Sequence, residues 1–129
     1  MSLVGIGLDL IDLERFTSLY GAQDPDVLAR CFTPRELAEV GNGADTMERL
    51  AARFAAKEAV LKVIGGLQDG MSLTDIEIGR EPDGKPTVVL FGMALSQAKA
   101  HGATHLHLSL THSAASAAAV VVAVSGGPK

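Results

Sequence analysis

The chain has 129 residues, 47% of them hydrophobic and 20% charged, with a formal net charge of −4, which suits one domain over residues 1–129 with a core of modest size. The acidic balance excludes the basic footprint of a nucleic-acid binder, and the single cysteine, Cys31, excludes an intramolecular disulfide and a cysteine metal cage, leaving a reduced, packed thiol. No basic segment followed by a long apolar run opens the chain, and the longest apolar run, Ala114 to Val124, is broken by Ser116 and too short for a bilayer, so a cytoplasmic protein without a membrane partner is expected.

Leu3 to Leu10 is apolar and β-rich and reads as a strand ending near Asp9. Asp12 suits the N-cap of a short helix to about Tyr20, Gly21 to Pro25 a turn, and Asp26 to Cys31 a second helix. Thr33-Pro34-Arg35-Glu36 is a strong helix start, with a capping threonine, proline at the first position and a carboxylate at the third; Gly41-Asn42-Gly43 ends that helix after Val40. Thr46 to Ile64 is the longest helical pattern, rich in alanine, leucine, arginine, lysine and glutamate, and Gly65-Gly66 closes it. Ser72 to Ile78 alternates as a strand, Glu81 to Pro86 turns, and Thr87 to Leu90 is the next strand. A helix over Met93 to His101 follows, then a strand over His105 to Thr111, a tight turn, a strand over Ala117 to Val124, and a frayed tail from Ser125 to Lys129. Hairpin-joined strands mixed with helices predict an α+β fold, a mostly antiparallel sheet packed on one long helix and shorter ones.

Three places are chemically loaded. Asp9 ends an apolar strand, where it either caps the next helix, in competition with Asp12, or offers a carboxylate at the edge of the core. On the long helix, Glu58 shares a mostly apolar stripe with Phe54, Ala55, Leu61 and Lys62, which makes Glu58 and Lys62 either an ordinary surface ion pair or a sheltered carboxylate with a cation one turn on. In the His105–His112 segment, alternation sets His105, His107, Ser109 and Thr111 on one face and the leucines on the other. Zinc at His105 and His107 lacks further ligands at suitable spacing. The hydroxyls and His112, beside a turn, suit a bound phosphate. Gly5-Ile6-Gly7 lacks the third glycine of a dinucleotide fingerprint.

Taken in order, Gly5-Ile6-Gly7 with Asp9 and Arg15, Phe32-Thr33 with Glu36, Arg53-Phe54-Ala55-Ala56-Lys57-Glu58-Ala59 with Lys62, Gly84-Lys85-Pro86, and Ser109-Leu110-Thr111-His112 resemble the small bacterial branch of the 4'-phosphopantetheinyl transferase superfamily across nearly the whole chain. The resemblance implies magnesium-dependent transfer of 4'-phosphopantetheine from coenzyme A to a serine of acyl carrier protein, with release of adenosine 3',5'-bisphosphate. It implies Asp9 and Glu58 as magnesium ligands, Glu58 as the base, directly or through a water on the metal, and Lys62 as a cation for phosphate charge. Asp9, Glu58 and Lys62 form the implied catalytic set. Arg53, Ser109, Thr111 and His112 are implied to hold coenzyme A phosphates, and Arg15 to meet the carrier, with Phe16, Leu19 and Tyr20 as apolar contacts. A homotrimer with the cleft between subunits is also implied, and a mean hydropathy of +0.26 agrees with apolar surface shared in an oligomer. A non-catalytic oligomeric module with a degenerate coenzyme A cleft is the alternative, and loss of Asp9, Glu58 or Lys62 would mark it.

Overall fold

The computed structural model describes residues 1–126. Its order is β1 (Ser2–Asp12), α1 (Leu13–Tyr20), α2 (Pro25–Cys31), α3 (Pro34–Val40), α4 (Thr46–Ile64), β2 (Ile76–Arg80), β3 (Pro86–Leu90), α5 (Gly92–Ala100), β4 (His105–His112) and β5 (Ser116–Ser125). The fold is α+β, with an antiparallel sheet in the order β1-β5-β4 and a separate β2-β3 hairpin.

The caps explain the helix boundaries. Asp12 Oδ2 accepts a hydrogen bond from the Arg15 N–H at 2.9 Å and starts α1. Asp24 caps α2, which begins at Pro25 and not at Asp26, because a proline at the first position gives up an N–H that has no helical partner. Thr33 and Glu36 form a reciprocal capping box on α3. Gly65, at φ 98°, closes α4 in the left-handed conformation that favours glycine.

Two strand expectations are corrected. Ser72–Asp75 is not extended: Ser72 and Asp75 close a capping box around a single 3₁₀ turn, and β2 begins only at Ile76. β1 runs beyond Asp9 to Asp12 because it is paired with β5 as far as Ser116. Ser125 is also paired, opposite Ser2, while residues 127–129 of the expected tail lie outside the described residues.

The sheet has one covered face and one open face. Gly7, Asp9, Ala119, Val121, Leu108 and Leu110 lie on the side toward α4, where Ala119 and Val121 are buried in one cluster with Ala55, Ala56 and Ala59. A second cluster joins Leu13, Phe16, Leu28, Phe32 and Leu50 between the short helices and the first half of α4, with Cys31 packed among them. Leu3, Ile6, Leu8 and Leu10 stand on the other side of β1, and each is more than 60% exposed.

Candidate active site

The site forms where β1 crosses α4, and glycine makes the crossing close. A Cβ at Gly7 would sit 2.0 Å from the Ala59 carbonyl oxygen, and one at Gly5 would sit 2.8 Å from Val63 Cγ1. The strand backbone therefore lies almost against the helix backbone. Asp9, two residues after Gly7 and on the same face, is brought alongside the α4 turn that carries Glu58 and Lys62.

Asp12 takes the capping role, which leaves Asp9 for other use. Asp9 Oδ1 accepts from Lys62 Nζ at 3.2 Å, and the same ammonium donates to the Leu8 carbonyl at 2.7 Å. Asp9 Oδ2 is buried without a hydrogen-bond partner among the described residues. Lys62 thus pairs across to the strand and not back to Glu58 four residues earlier on its own helix. Glu58 is half-buried and has no hydrogen bond or ion pair among the described residues. Burial pushes its carboxyl above the usual carboxylate range, the Asp9 charge pushes the same way, and Lys62 pulls partly back. Two neighbouring carboxylates that repel, only one of them paired with a lysine, form an arrangement poised for a cation or a proton.

Beside Glu58 runs an aromatic wall. Phe54, one turn before it, packs on Phe16 at 5.8 Å and Tyr20 at 6.0 Å between ring centroids. These rings, with Leu10, Arg15 and Leu19, line a groove of about 300 Å³. Of the three apolar carrier contacts expected, Phe16 is corrected: it is only 3% exposed and belongs to the core, while Leu19 is 64% exposed. A cavity of about 600 Å³, lined by Glu14, Thr17, Ser18, Met47 and Glu48, touches neither Asp9 nor Glu58.

The expected phosphate-holding residues do not gather here. Arg53 is 2% exposed and directs Nη2 to Glu39 at 3.5 Å, inside the fold, so it does not present its guanidinium to a ligand. Burial lowers its pKa, only partly offset by Glu39. Ser109 and Thr111 are exposed on the open face of the sheet, opposite the face that carries Asp9, since Asp9 pairs with Ala119 and Ala119 with Leu110. His112 lies at the exposed end of β4, in a small cavity with Leu10, Thr111, Ser113 and Ser116. Gly84-Lys85-Pro86 turns the β2-β3 hairpin, and Lys85 and Pro86 share a groove of about 290 Å³ with His107 on β4.

One polar group escaped the sequence reading. Lys57, next to Glu58, is fully buried and pairs with a fully buried Glu36 at 2.7 Å. Glu36, which the sequence marks as the α3 cap and as part of the Phe32-Thr33 block of the resemblance, caps α3 through one oxygen and accepts from the Ile78 N–H at 2.8 Å through the other. The burial of a lysine within an alanine-rich helix has no local signal, because a lysine there is ordinarily solvated.

Residues 5–123 match the model of the 4'-phosphopantetheinyl transferase superfamily. The chain is 39% identical over 121 residues to a holo-[acyl-carrier-protein] synthase of Koribacter versatilis, covering 93% of this chain and 97% of that protein. The crystal structure of a holo-ACP-synthase from Plasmodium yoelii superposes with a TM-score of 0.82 at 30% identity, covering 97% of each chain. A holo-(acyl-carrier-protein) synthase from Bacillus anthracis in complex with CoA (3',5'-ADP) superposes with a TM-score of 0.79 at 32% identity, covering 98% of this chain and 100% of that one.

Proposed function

This chain belongs to the 4'-phosphopantetheinyl transferase superfamily, and from that membership we propose that it acts as a holo-[acyl-carrier-protein] synthase, moving 4'-phosphopantetheine from coenzyme A to a serine of apo-acyl carrier protein and releasing adenosine 3',5'-bisphosphate. The carrying observation is the cluster of Asp9, Glu58 and Lys62 at the β1-α4 crossing. The serine oxygen forms a bond to the phosphorus nearer the pantetheine arm, and the bond from that phosphorus to the bridging oxygen breaks. The bridging oxygen leaves with adenosine bisphosphate. The serine proton goes to Glu58, directly or through a water, since this half-buried carboxylate is left unpaired while Lys62 turns to Asp9. Lys62 Nζ, half-exposed beside Asp9, is placed to offset phosphate charge.

Asp9 and Glu58 fit a magnesium ion. Both offer hard oxygens, Asp9 Oδ2 is buried without a partner, and magnesium characteristically takes one or two carboxylates with substrate phosphates filling other positions. When bound, the ion neutralises charge on the pyrophosphate and the departing group. The chain is further proposed to work in the cytoplasm as a homotrimer. The exposed Leu3, Ile6, Leu8 and Leu10 support assembly, since covering such side chains is worth up to about 1.5–3 kcal/mol each. Ser109, Thr111 and His112 would then serve a neighbouring subunit's carboxylates.

The test is to incubate the protein with coenzyme A, magnesium and apo-carrier, then weigh the carrier by mass spectrometry. A carrier heavier by one phosphopantetheine is expected, with no gain in excess EDTA or with Asp9→Ala or Glu58→Ala. Full transfer in EDTA would overturn the metal assignment, and no transfer under any condition would overturn the activity. Light scattering at micromolar concentration should return three chain masses; a monomer mass would overturn the trimer.

A further inference from the structure

α4 presents Glu58 and Lys62 to β1 along a face made of small side chains. Ala55, Ala56 and Ala59 are buried in one cluster with Ala119 and Ala123 of β5. Larger α4 side chains, Val60, Leu61, Val63 and Ile64, are buried in the same cluster and fill the space around the helix, but apolar packing is non-directional and the alanines beside Glu58 leave that turn room for small rotations. A directional contact fixes the rotation more finely.

The opposite side of α4 has a directional anchor. Lys57 Nζ is fully buried, pairs with Glu36 Oε1 at 2.7 Å and donates to the carbonyls of Leu73, at 2.9 Å, and Ile76. The Phe32 ring lies 5.6 Å from the ammonium. Glu36 is satisfied in turn by the N–H groups of Thr33 and Ile78, each at 2.8 Å. The knot thus ties α4 to α3, to the 3₁₀ turn and to β2. A buried ion pair of this kind contributes little net stability against an apolar replacement. Its directional bonds do fix orientation.

We infer that Lys57, held by Glu36, is a positioning residue that sets the rotation of α4 and thereby places Glu58 and Lys62 against Asp9. The inference rests on the transferase reading and adds a residue that touches neither substrate nor metal. The scale is sufficient. Side-chain ends lie about 5–6 Å from a helix axis, so a rotation of about 10° moves the Glu58 carboxylate by about 1 Å. A misplacement of that size costs on the order of 10²-fold in rate.

The test is the double variant Glu36→Gln/Lys57→Met, compared with Leu106→Ala, which thins the packing between β4, β3 and α5, away from the β1-α4 crossing, and leaves the knot intact. Melting, kcat, KM for apo-carrier, and Mn²⁺ binding by the free protein (from water proton relaxation) are measured at a temperature where every variant is folded. In the double variant kcat should fall by about 10-fold to 100-fold with the carrier KM nearly unchanged. Mn²⁺ should bind about 10-fold more weakly, as when outer-shell support for a metal ligand is removed. Leu106→Ala should lose melting temperature and keep both kcat and Mn²⁺ affinity. If the double variant does not fold, Glu36→Gln alone, which keeps the lysine and its two carbonyls, should show the same losses in smaller measure. Wild-type kcat and Mn²⁺ affinity in a folded knot variant would overturn the inference, and so would equal losses in Leu106→Ala. An inactive wild type would overturn the transferase reading instead, and the Mn²⁺ comparison would still decide on Lys57.

Discussion

Gly7→Ala is the sharpest probe of how the site is assembled. The added Cβ would lie 2.0 Å from the Ala59 carbonyl oxygen and 2.9 Å from the Ala59 carbonyl carbon. Ordinary contact begins near 3.4 Å, so β1 and α4 must separate by 3.4 − 2.0 = 1.4 Å at that point. No side chain can swing aside, because the obstruction is helix backbone. Gly7 does not occupy the left-handed region, so the effect is purely one of space. Overpacking of this kind costs about 1–3 kcal/mol, against which the loss of chain freedom in the unfolded state returns about 0.4–1 kcal/mol. The larger consequence is for chemistry. Asp9 and the Leu8 carbonyl ride on the displaced strand, and Lys62 holds both at 3.2 and 2.7 Å. A displacement beyond 1 Å should therefore lower kcat/KM by on the order of 10²-fold, measured by carrier mass gain at a temperature where thermal melts show the variant folded. Gly5→Ala, which meets only a Val63 methyl at 2.8 Å, should be milder in both respects. A Gly7→Ala protein with wild-type melting and wild-type kcat/KM would refute the close-approach argument.

Two further outcomes follow from charge. A carboxyl whose folded pKa is raised holds its proton more tightly folded than unfolded, so its contribution favours the fold below its ordinary value of about 4.5 and is lost as pH rises through the raised folded value. In metal-free protein Glu58→Gln should therefore melt above wild type at pH 8, and the gain should vanish toward pH 4; a gain independent of pH would contradict the assignment of burial and Asp9 as its cause. Arg15→Glu, at the exposed rim of the aromatic groove, should raise the KM for apo-carrier and leave that for coenzyme A nearly unchanged. Salt should inhibit only mildly, because exposed charges more than about 8 Å apart are largely screened at physiological ionic strength. Unaltered carrier kinetics in Arg15→Glu would place docking elsewhere.

Local chemistry made most elements legible in the sequence. Thr33-Pro34 with Glu36, and Gly65 after an alanine-rich run, mark helix ends because capping is a contest among a few neighbouring atoms. Ser72–Asp75 was readable by the same logic, a serine three residues before a carboxylate, yet apolar alternation masked it. The extension of β1 to Asp12 depends on a strand more than 100 residues away and has no local signal. Within the site, Asp9, Glu58 and Lys62 were identifiable as residues, but that Lys62 pairs with Asp9 and not with Glu58 is a tertiary fact. Arg53 and Lys57 look alike as charged residues on a helix that would ordinarily be solvated, and both are buried; only the position of Glu36 and Glu39 on α3 decides this.

The two faces of the sheet lead to one last expectation. Asp9 lies on the covered face with Glu58 and Lys62, while Ser109 and Thr111 project from the open face, where none of the described residues of the same chain brings them to the carboxylates. If these hydroxyls hold coenzyme A, they do so for a neighbour, whose approach would also cover Leu3, Ile6, Leu8 and Leu10. A subunit lacking its carboxylate and a subunit lacking its hydroxyls are then defective in complementary halves. Glu58→Ala and the triple variant Ser109→Ala/Thr111→Val/His112→Ala should each be nearly inactive alone. Unfolded together and refolded as an equal mixture, they should recover about a quarter of wild-type activity, because a site needs a sound α4 from one subunit (one chance in two) and a sound β4 from the next (one chance in two) in a closed head-to-tail ring. Recovery should follow the product of the two mole fractions as the mixing ratio is varied. Activity that stays at the level of the separate variants at every ratio would mean that each site is completed within one chain, and the phosphate-holding role of Ser109, Thr111 and His112 would fall with it.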